Sequence, residues 1–171
     1  MNHLLRGART GDDVEKRLAR LEDVEAIKTL KNIYAFWCDK DYNPDEIAPL
    51  FAEDAKWESN LLGNYYGRAE IHGFMAAVSA KLTWAHHFMI NPLIDVADDG
   101  RTASGKWALI DLVTLVRKDT GEKEAVVITA DYDDRFVKLP NGEWRFQSVY
   151  ASLKLQAPLN GGWAETELWD I

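Results

Sequence analysis

The stretch that decides the fold is "TASGKWALIDLVTLVRKDTGEKEAVVITADYDDRFVKLPNGEWRFQSVYASLKLQA", residues 102–157. It holds three long runs in which Val, Ile, Leu, Thr and aromatic residues alternate along the chain. The turns "DTGE" and "PNGE" separate them. Asp-Gly, Thr-Gly and Asn-Gly turns between alternating runs signal β-hairpins. Upstream, "WAHHFMINPLIDVA" is a fourth run, and the turn "DDGR" joins it to the first of the three. The pattern predicts a four-stranded antiparallel meander. Its strands exceed the usual five or six residues, so the sheet must bend or coil, with Gly105 the expected bulge or bend.

The chain ahead of the meander reads mainly as helix. Asp12 or Asp13 caps a helix running to about Cys38. Its apolar stripe is Val14, Leu18, Leu21, Val24, Ile27, Leu30, Ile33, Tyr34 and Trp37, with Glu, Lys and Arg on the other face. The segment "DYNP" ends it, because Pro44 pushes Asn43 out of helical space. A short helix over "PDEIAPLFA", strands over "AKWES" and "GNYYG", and a helix over "RAEIHGFMAAVSAKL" follow. Helices first and a long bent sheet after give an α+β class. The expected architecture is a cone-shaped curved antiparallel β-sheet, with about three N-terminal helices packed on its concave side. Residues 1–11 are expected to be a flexible arm and residues 12–171 a single domain. The hollow of such a cone is the ordinary place for a small-molecule site.

Composition narrows the function classes. A net charge of −8 and the absence of a basic stripe argue against nucleic acid. No Lys/Arg run favours an anionic membrane surface. The uncharged window "LTWAHHFMINPLI" has 13 residues, too few to span a bilayer. The stretch "MNHLLRGARTGDD" has no apolar signal-peptide core. One cysteine, Cys38, fits a reducing, cytoplasmic setting. No CxxC, HExxH, EF-hand or phosphate-loop spacing occurs, and no metal site is expected. Within a strand, His86 and His87 face opposite ways, which makes them a poor metal clamp.

Three features carry chemistry. Asp111 lies in mid-strand between Lys106 and Arg117, with Trp107, Leu109, Val113 and Leu115 on its own face and Ala108, Ile110, Leu112, Thr114 and Val116 opposite. Both faces are apolar, so both are expected to be covered and the carboxylate desolvated. It then either pairs with an arginine or is a functional acid. One of His86 and His87 must face inward, as a satisfied core histidine or as a base. Asp39 follows the end of the first helix, where the helix carbonyls disfavour negative charge. An inward Asp39 therefore needs an N–H partner such as a histidine; otherwise it is a solvated helix breaker.

The runs "VEAIKTLKNIYAFWCDKD", "HHFMINPLI" and "SGKWALIDLV", with the strand after "NGEW", resemble the SnoaL-like branch of the nuclear-transport-factor-like cone fold. Within it they are similar to bile acid 7α-dehydratases, scytalone dehydratases and hexachlorocyclohexane dehydrochlorinases, over roughly residues 14–155. The resemblance implies Tyr34, Asp39, His87 and Asp111 as catalytic residues. Asp39 would orient His87, the base; Tyr34 would donate to developing charge; a neutral Asp111 would protonate a departing hydroxyl. The substrate implied is small, apolar and cyclic, steroid-like or aromatic-derived, with Trp84, Phe88, Met89 and Trp107 as wall candidates. No cofactor is required. The family's last strand carries a functional arginine; this chain has Lys154 nearby, which lacks the bidentate fork. A homo-oligomer is implied, a trimer ahead of a dimer. The function expected is a cofactor-independent dehydratase or hydratase. A double-bond isomerase and a non-catalytic binding or assembly module are the alternatives.

Overall fold

A computed structural model describes residues 14–117 and 119–163. The expected arm at residues 1–11 and the cap at Asp12 or Asp13 lie outside these residues. Helix α1 spans Val14–Cys38 and α2 spans Pro44–Ile47, followed by a 3-10 turn at Ala48–Leu50. Strands β1 (Phe51–Ser59) and β2 (Gly63–Tyr66) precede α3 (Gly67–Ser79). The meander follows as β3 (Leu82–Val96), β4 (Thr102–Val116), β5 (Lys123–Lys138) and β6 (Trp144–Pro158). Three helices pack on one six-stranded, curved and unclosed sheet of order β2-β1-β6-β5-β4-β3. All strand pairs are antiparallel except β1 with β6, which run parallel. Among the described residues no helix is long and apolar enough to cross a membrane.

The helices cover the inner face of the sheet. Ile27, Leu30 and Tyr34 of α1 and Ile71, Phe74 and Met75 of α3 pack with Phe51, Trp57, Phe136 and Phe146 in the main apolar cluster. The α1 stripe is buried only in its second half. Val14, Leu18 and Leu21 are exposed, and Ile33 is also exposed. A helix of 25 residues is about 37 Å long, and none of its residues before Asp23 is buried. Lys31, placed on the polar face by periodicity, is fully buried instead.

Strand β4 alternates as expected on one face. Trp107, Leu109, Asp111, Val113 and Leu115 are buried, but Ile110, Leu112 and Val116 on the other are exposed. The expectation that both faces are covered is therefore corrected: helices lie on one side only. Gly105 is also not a bulge, because β4 pairs with β5 without a register shift. A Cβ there would lie 2.2 Å from the indole of Trp107, so the glycine makes room for that ring. The irregularity falls on β3 instead. Asn91 has φ 55°, and the register shifts between Ile90 and Leu93. The shift turns Leu93 outward and brings Ile94 and Val96 inward, so strict alternation from His87 to Leu93 fails.

Candidate active site

The site starts from a property of edge strands. Strand β3 is the last in the sheet, so alternate backbone N–H groups along it have no strand partner. His87 stands opposite Asp111 on β4, and its N–H points to the free edge. There it donates to Asp39 Oδ1 at 2.8 Å. Helix α1 packs beside this edge and ends at Cys38, which puts Asp39 against it.

The same Asp39 oxygen lies 2.7 Å from His87 Nδ1, and the other oxygen lies 3.3 Å from His86 Nδ1. The backbone N–H and the Nδ1–H of His87 thus offset the repulsion that the helix carbonyls exert on a carboxylate at this end. Because Asp39 only accepts, the proton of His87 sits on Nδ1 and the lone pair on Nε2. Nε2 points inward, with a side chain only 3% exposed. It accepts from the Tyr42 hydroxyl at 2.8 Å and lies 3.3 Å from Asp111 Oδ2.

Tyr42 reaches this position through an unusual turn. Asp41 and Tyr42 have φ of 58° and 50°, left-handed values at two successive non-glycine residues. Each costs on the order of 1 kcal/mol. Tyr42 N–H donates to Cys38 O at 3.1 Å and Asn43 N–H to Trp37 O at 3.3 Å, closing the end of α1. Asn43 then caps α2, its side chain accepting from Asp45 N–H. The turn brings the Tyr42 ring edge-on to the imidazole, with centroids 5.4 Å apart.

Asp111 is 4% exposed, and its Oδ1 is buried without a hydrogen-bond partner. Burial pushes its pKa up to about 6, against the lowering effect of His87. Burial also pushes the Tyr42 phenol well above its ordinary range, so it stays a donor. One carboxylic acid near neutrality, one phenol and one oriented imidazole therefore share a few ångströms. This set can take up a proton at Nε2 and deliver one from Asp111 or Tyr42. Among the described residues, no three or more His, Cys, Asp or Glu side chains are arranged to hold a metal ion.

The expected residues divide into those gathered here and those placed elsewhere. Asp39, His87 and Asp111 meet. Tyr34 is buried, and its hydroxyl accepts from Trp57 Nε1 at 3.2 Å. Met89 is partly buried against the main apolar cluster. Trp107 lies in that cluster, 5.2 Å from the Lys31 ammonium. Trp84 and Phe88 are exposed on the outer face, which corrects their assignment to the cavity wall; strand alternation turns them away from His87. Lys154 also points outward, 55% exposed and 3.6 Å from Asp131, so it does not stand in for an inward arginine. The register shift on β5 and β6 near Thr129 and Ala130 turns Gln156 inward instead.

A family model described as "SnoaL-like domain" matches residues 19–150. The chain belongs to the SnoaL-like family. No curated protein matches it. Solved structures similar to this SnoaL-like chain include a hexachlorocyclohexane dehydrochlorinase of type 3 from Novosphingobium barchaimii, at 20% identity and TM-score 0.73, covering 91% of this chain and 99% of that one. A candidate scytalone dehydratase from Novosphingobium aromaticivorans shares 20% identity at TM-score 0.72, over 81% of this chain and 89% of that one. A nuclear-transport-factor-2-like protein with a cystatin-like fold, from the same organism, shares 23% identity at TM-score 0.62, over 94% and 100%. At these identities the likeness is one of fold.

In this SnoaL-like chain the sequence reading missed Tyr42. It is the fourth residue beyond the helix end and lies outside any period, so only the left-handed turn brings it back. The signal available was the aromatic residue directly before "NP", in a segment otherwise charged. Lys31 and Asp134 were missed as well. They form a fully buried ion pair at 2.8 Å, with the Lys31 ammonium 3.6 Å over the Tyr132 ring.

Proposed function

We propose that the protein is a cofactor-independent lyase of the dehydratase or hydratase type, acting on a small, apolar, cyclic substrate. The observation that carries this is the inward His87, with Nδ1 on Asp39 and Nε2 2.8 Å from Tyr42 and 3.3 Å from Asp111. Asp39 fixes the tautomer and favours the imidazolium that forms when Nε2 takes a proton. The proton is removed from a carbon next to an activating group. Tyr42 then turns its hydroxyl from the filled nitrogen to the oxygen where charge grows. Asp111, protonated, delivers a proton to the departing hydroxyl, and water leaves.

Support comes from the family and from two structural neighbours. The names of those neighbours describe eliminations, of water in one and of hydrogen chloride in the other. A double-bond isomerase is the second reading. A tyrosine beside a protonated carboxylic acid is the donor pair that holds a dienolate in ketosteroid isomerases, and Tyr42 with Asp111 offers that pair. The exposed apolar strip of Trp84, Phe88, Ile90, Ile110 and Leu112 supports a homo-oligomer, proposed as a trimer. Buried Cys38 is consistent with the proposed reducing, cytoplasmic setting.

The test is proton removal itself. The protein is incubated in D2O with scytalone, with hexachlorocyclohexane and with a Δ5-3-ketosteroid, and products are followed by mass. Loss of water or of hydrogen chloride supports a lyase. Deuterium uptake with a moved double bond supports the isomerase. Ligand binding with no exchange or elimination, equal in wild type and His87→Ala, leaves a binding module and ends both enzyme readings.

A further inference from the structure

Consecutive side chains of a strand point to opposite faces. His86 and His87 obey that rule: the His87 side chain is 3% exposed on the inner face, and that of His86 is 51% exposed on the outer one. Both imidazoles nevertheless reach one carboxylate. Asp39 Oδ1 lies 2.7 Å from His87 Nδ1, and Asp39 Oδ2 lies 3.3 Å from His86 Nδ1. The free edge of β3 makes this possible. Asp39 accepts the edge-pointing N–H of His87 at 2.8 Å, which holds the carboxylate beside the strand and within reach of both faces. Asp39 thus joins the buried base to a histidine in contact with solvent.

The surroundings of His86 let its charge act on that carboxylate. On β3 its ring lies near-parallel to Trp84, with centroids 6.2 Å apart, and edge-on to Phe88 at 4.7 Å. On β4 it stands opposite Leu112, between Ile110 and Thr114. None of these side chains ionises. At the end of α1 the charged group against the ring is Asp39, while the next residue, Lys40, turns its ammonium to the Phe36 ring, 5.7 Å from the centroid. Asp111 and His87 lie on the reverse face of the sheet. Histidine is the side chain that ordinarily changes charge between pH 5 and 8. A neutral His86 leaves the full charge of Asp39 to the His87 imidazolium. A protonated His86 pairs with that charge and repels a second cation across it. Its field reaches the acid as well: burial raises the pKa of Asp111, and His87 and, more weakly, His86 oppose the rise.

We infer that His86 is a positioning residue for the base: acting through Asp39, a proton on His86 weakens the support that His87 receives, so the charge state of the outer face sets the readiness of the inner one. His86 does not touch the substrate, because strand alternation keeps it on the other side of the sheet. No proton passes through Asp39; the effect is one of charge. Solvent screens a half-exposed pair, so the effect is severalfold rather than a hundredfold. The kinetic consequence rests on the proton-removal reading of His87. The coupling of the two imidazoles does not.

Two variants of the full chain test this: His86→Gln, neutral at every pH, and His86→Lys, charged throughout the range used. Proton removal is compared with wild type at pH 5.5 and pH 8.5, on whichever of scytalone, hexachlorocyclohexane and a Δ5-3-ketosteroid is turned over. His86→Gln should gain on wild type at pH 5.5, and His86→Lys should lose to it at pH 8.5. In each case the ratio of variant to wild-type rate should be at least threefold higher at pH 5.5 than at pH 8.5. A purely structural role would change the rate by one factor at both pH values, so a ratio that changes less than threefold in either variant overturns the inference. Nuclear magnetic resonance of the His87 ring gives a readout without substrate. In wild type its signals should follow the titration of His86, and that component should vanish in His86→Gln. A His87 titration curve identical in the two proteins overturns the inference. If the curves differ as expected while no substrate loses a proton, the lyase reading fails and the coupling stands.

Discussion

Asp111 on β4 and Asp134 on β5 are buried on the same inner face of the sheet. Each has one oxygen without a hydrogen-bond partner. Burial pushes the pKa of each up to about 6. Their neighbours differ. Asp134 is paired at 2.8 Å with Lys31, whose own pKa burial lowers and whose ammonium lies among aromatic rings. Asp111 faces an imidazole whose other nitrogen is already fixed by Asp39, and a phenol completes the group. Desolvation alone thus marks two places. What separates them is whether the partner is a fixed charge or a group that can gain and lose a proton near neutrality.

The comparison is broken most sharply at His87. His87→Ala and Asp39→Asn should each lower the rate of proton removal about 10²–10⁴-fold, with the circular dichroism and melting temperature close to wild type. A rate within threefold of wild type in either would show that the two buried acids do not differ as described. Lys31→Met should do the opposite. It strands Asp134 as an uncompensated buried charge and should cost about 3–5 kcal/mol of stability in urea titrations. Turnover per folded molecule should stay near wild type. The double variant Lys31→Met, Asp134→Leu should recover most of that stability, because two matched apolar side chains replace the pair.

A smaller effect follows from pH. The folded pKa of Asp111, about 6, lies above the unfolded value near 3.8. Between those values the folded chain binds the proton and the unfolded chain does not, so protonation adds stability as pH falls from 6 to 4. The stability difference between wild type and Asp111→Asn should therefore change over that window, by roughly 2–3 kcal/mol at most, measured by denaturation at each pH. As the proton donor, Asp111 should also give the rate a decline as pH rises through about 6, and Asp111→Asn should remove it. A decline retained in that variant would assign the acid to another group.

Tyr42→Phe should lower the rate about tenfold while leaving the fold intact, because the phenol stabilises charge that Asp111 also stabilises. A faster variant would show instead that the hydroxyl only blocks Nε2. The smallest effect belongs to Lys154→Ala on the outer face, which should leave kcat/KM within twofold of wild type.

The meander was legible because its turns and its alternation are local. "DTGE" and "PNGE" name hairpins, and each strand shows its buried face in its own residues. Asp39 and Asp111 stood out as candidates, the first by its place after a helix end and the second as an ionisable group in an apolar strand, whereas the choice of His87 over His86, and the joining of all three, came from the family resemblance. The faces of Trp84 and Phe88 were open to alternation as well, and were misassigned by weighing aromatic character above it. Ile110 and Leu112 were placed on their proper face but expected to be covered, because a strand's composition does not report whether a second layer lies over it.

By itself the sequence determined an α+β chain with a long bent meander, and it put a carboxylate and two adjacent imidazoles in apolar strands, one of the two imidazoles facing inward. Local periodicity and turn chemistry suffice for that. Only the tertiary structure decided that Asp39 closes the open edge of β3, that two left-handed residues swing Tyr42 onto Nε2, and that Lys31 is consumed by Asp134. It also decided that a register shift turns Gln156 inward and leaves Lys154 outside. These are meetings of residues up to 103 positions apart, fixed by strand register and backbone angles at single positions, and no period in the chain encodes them.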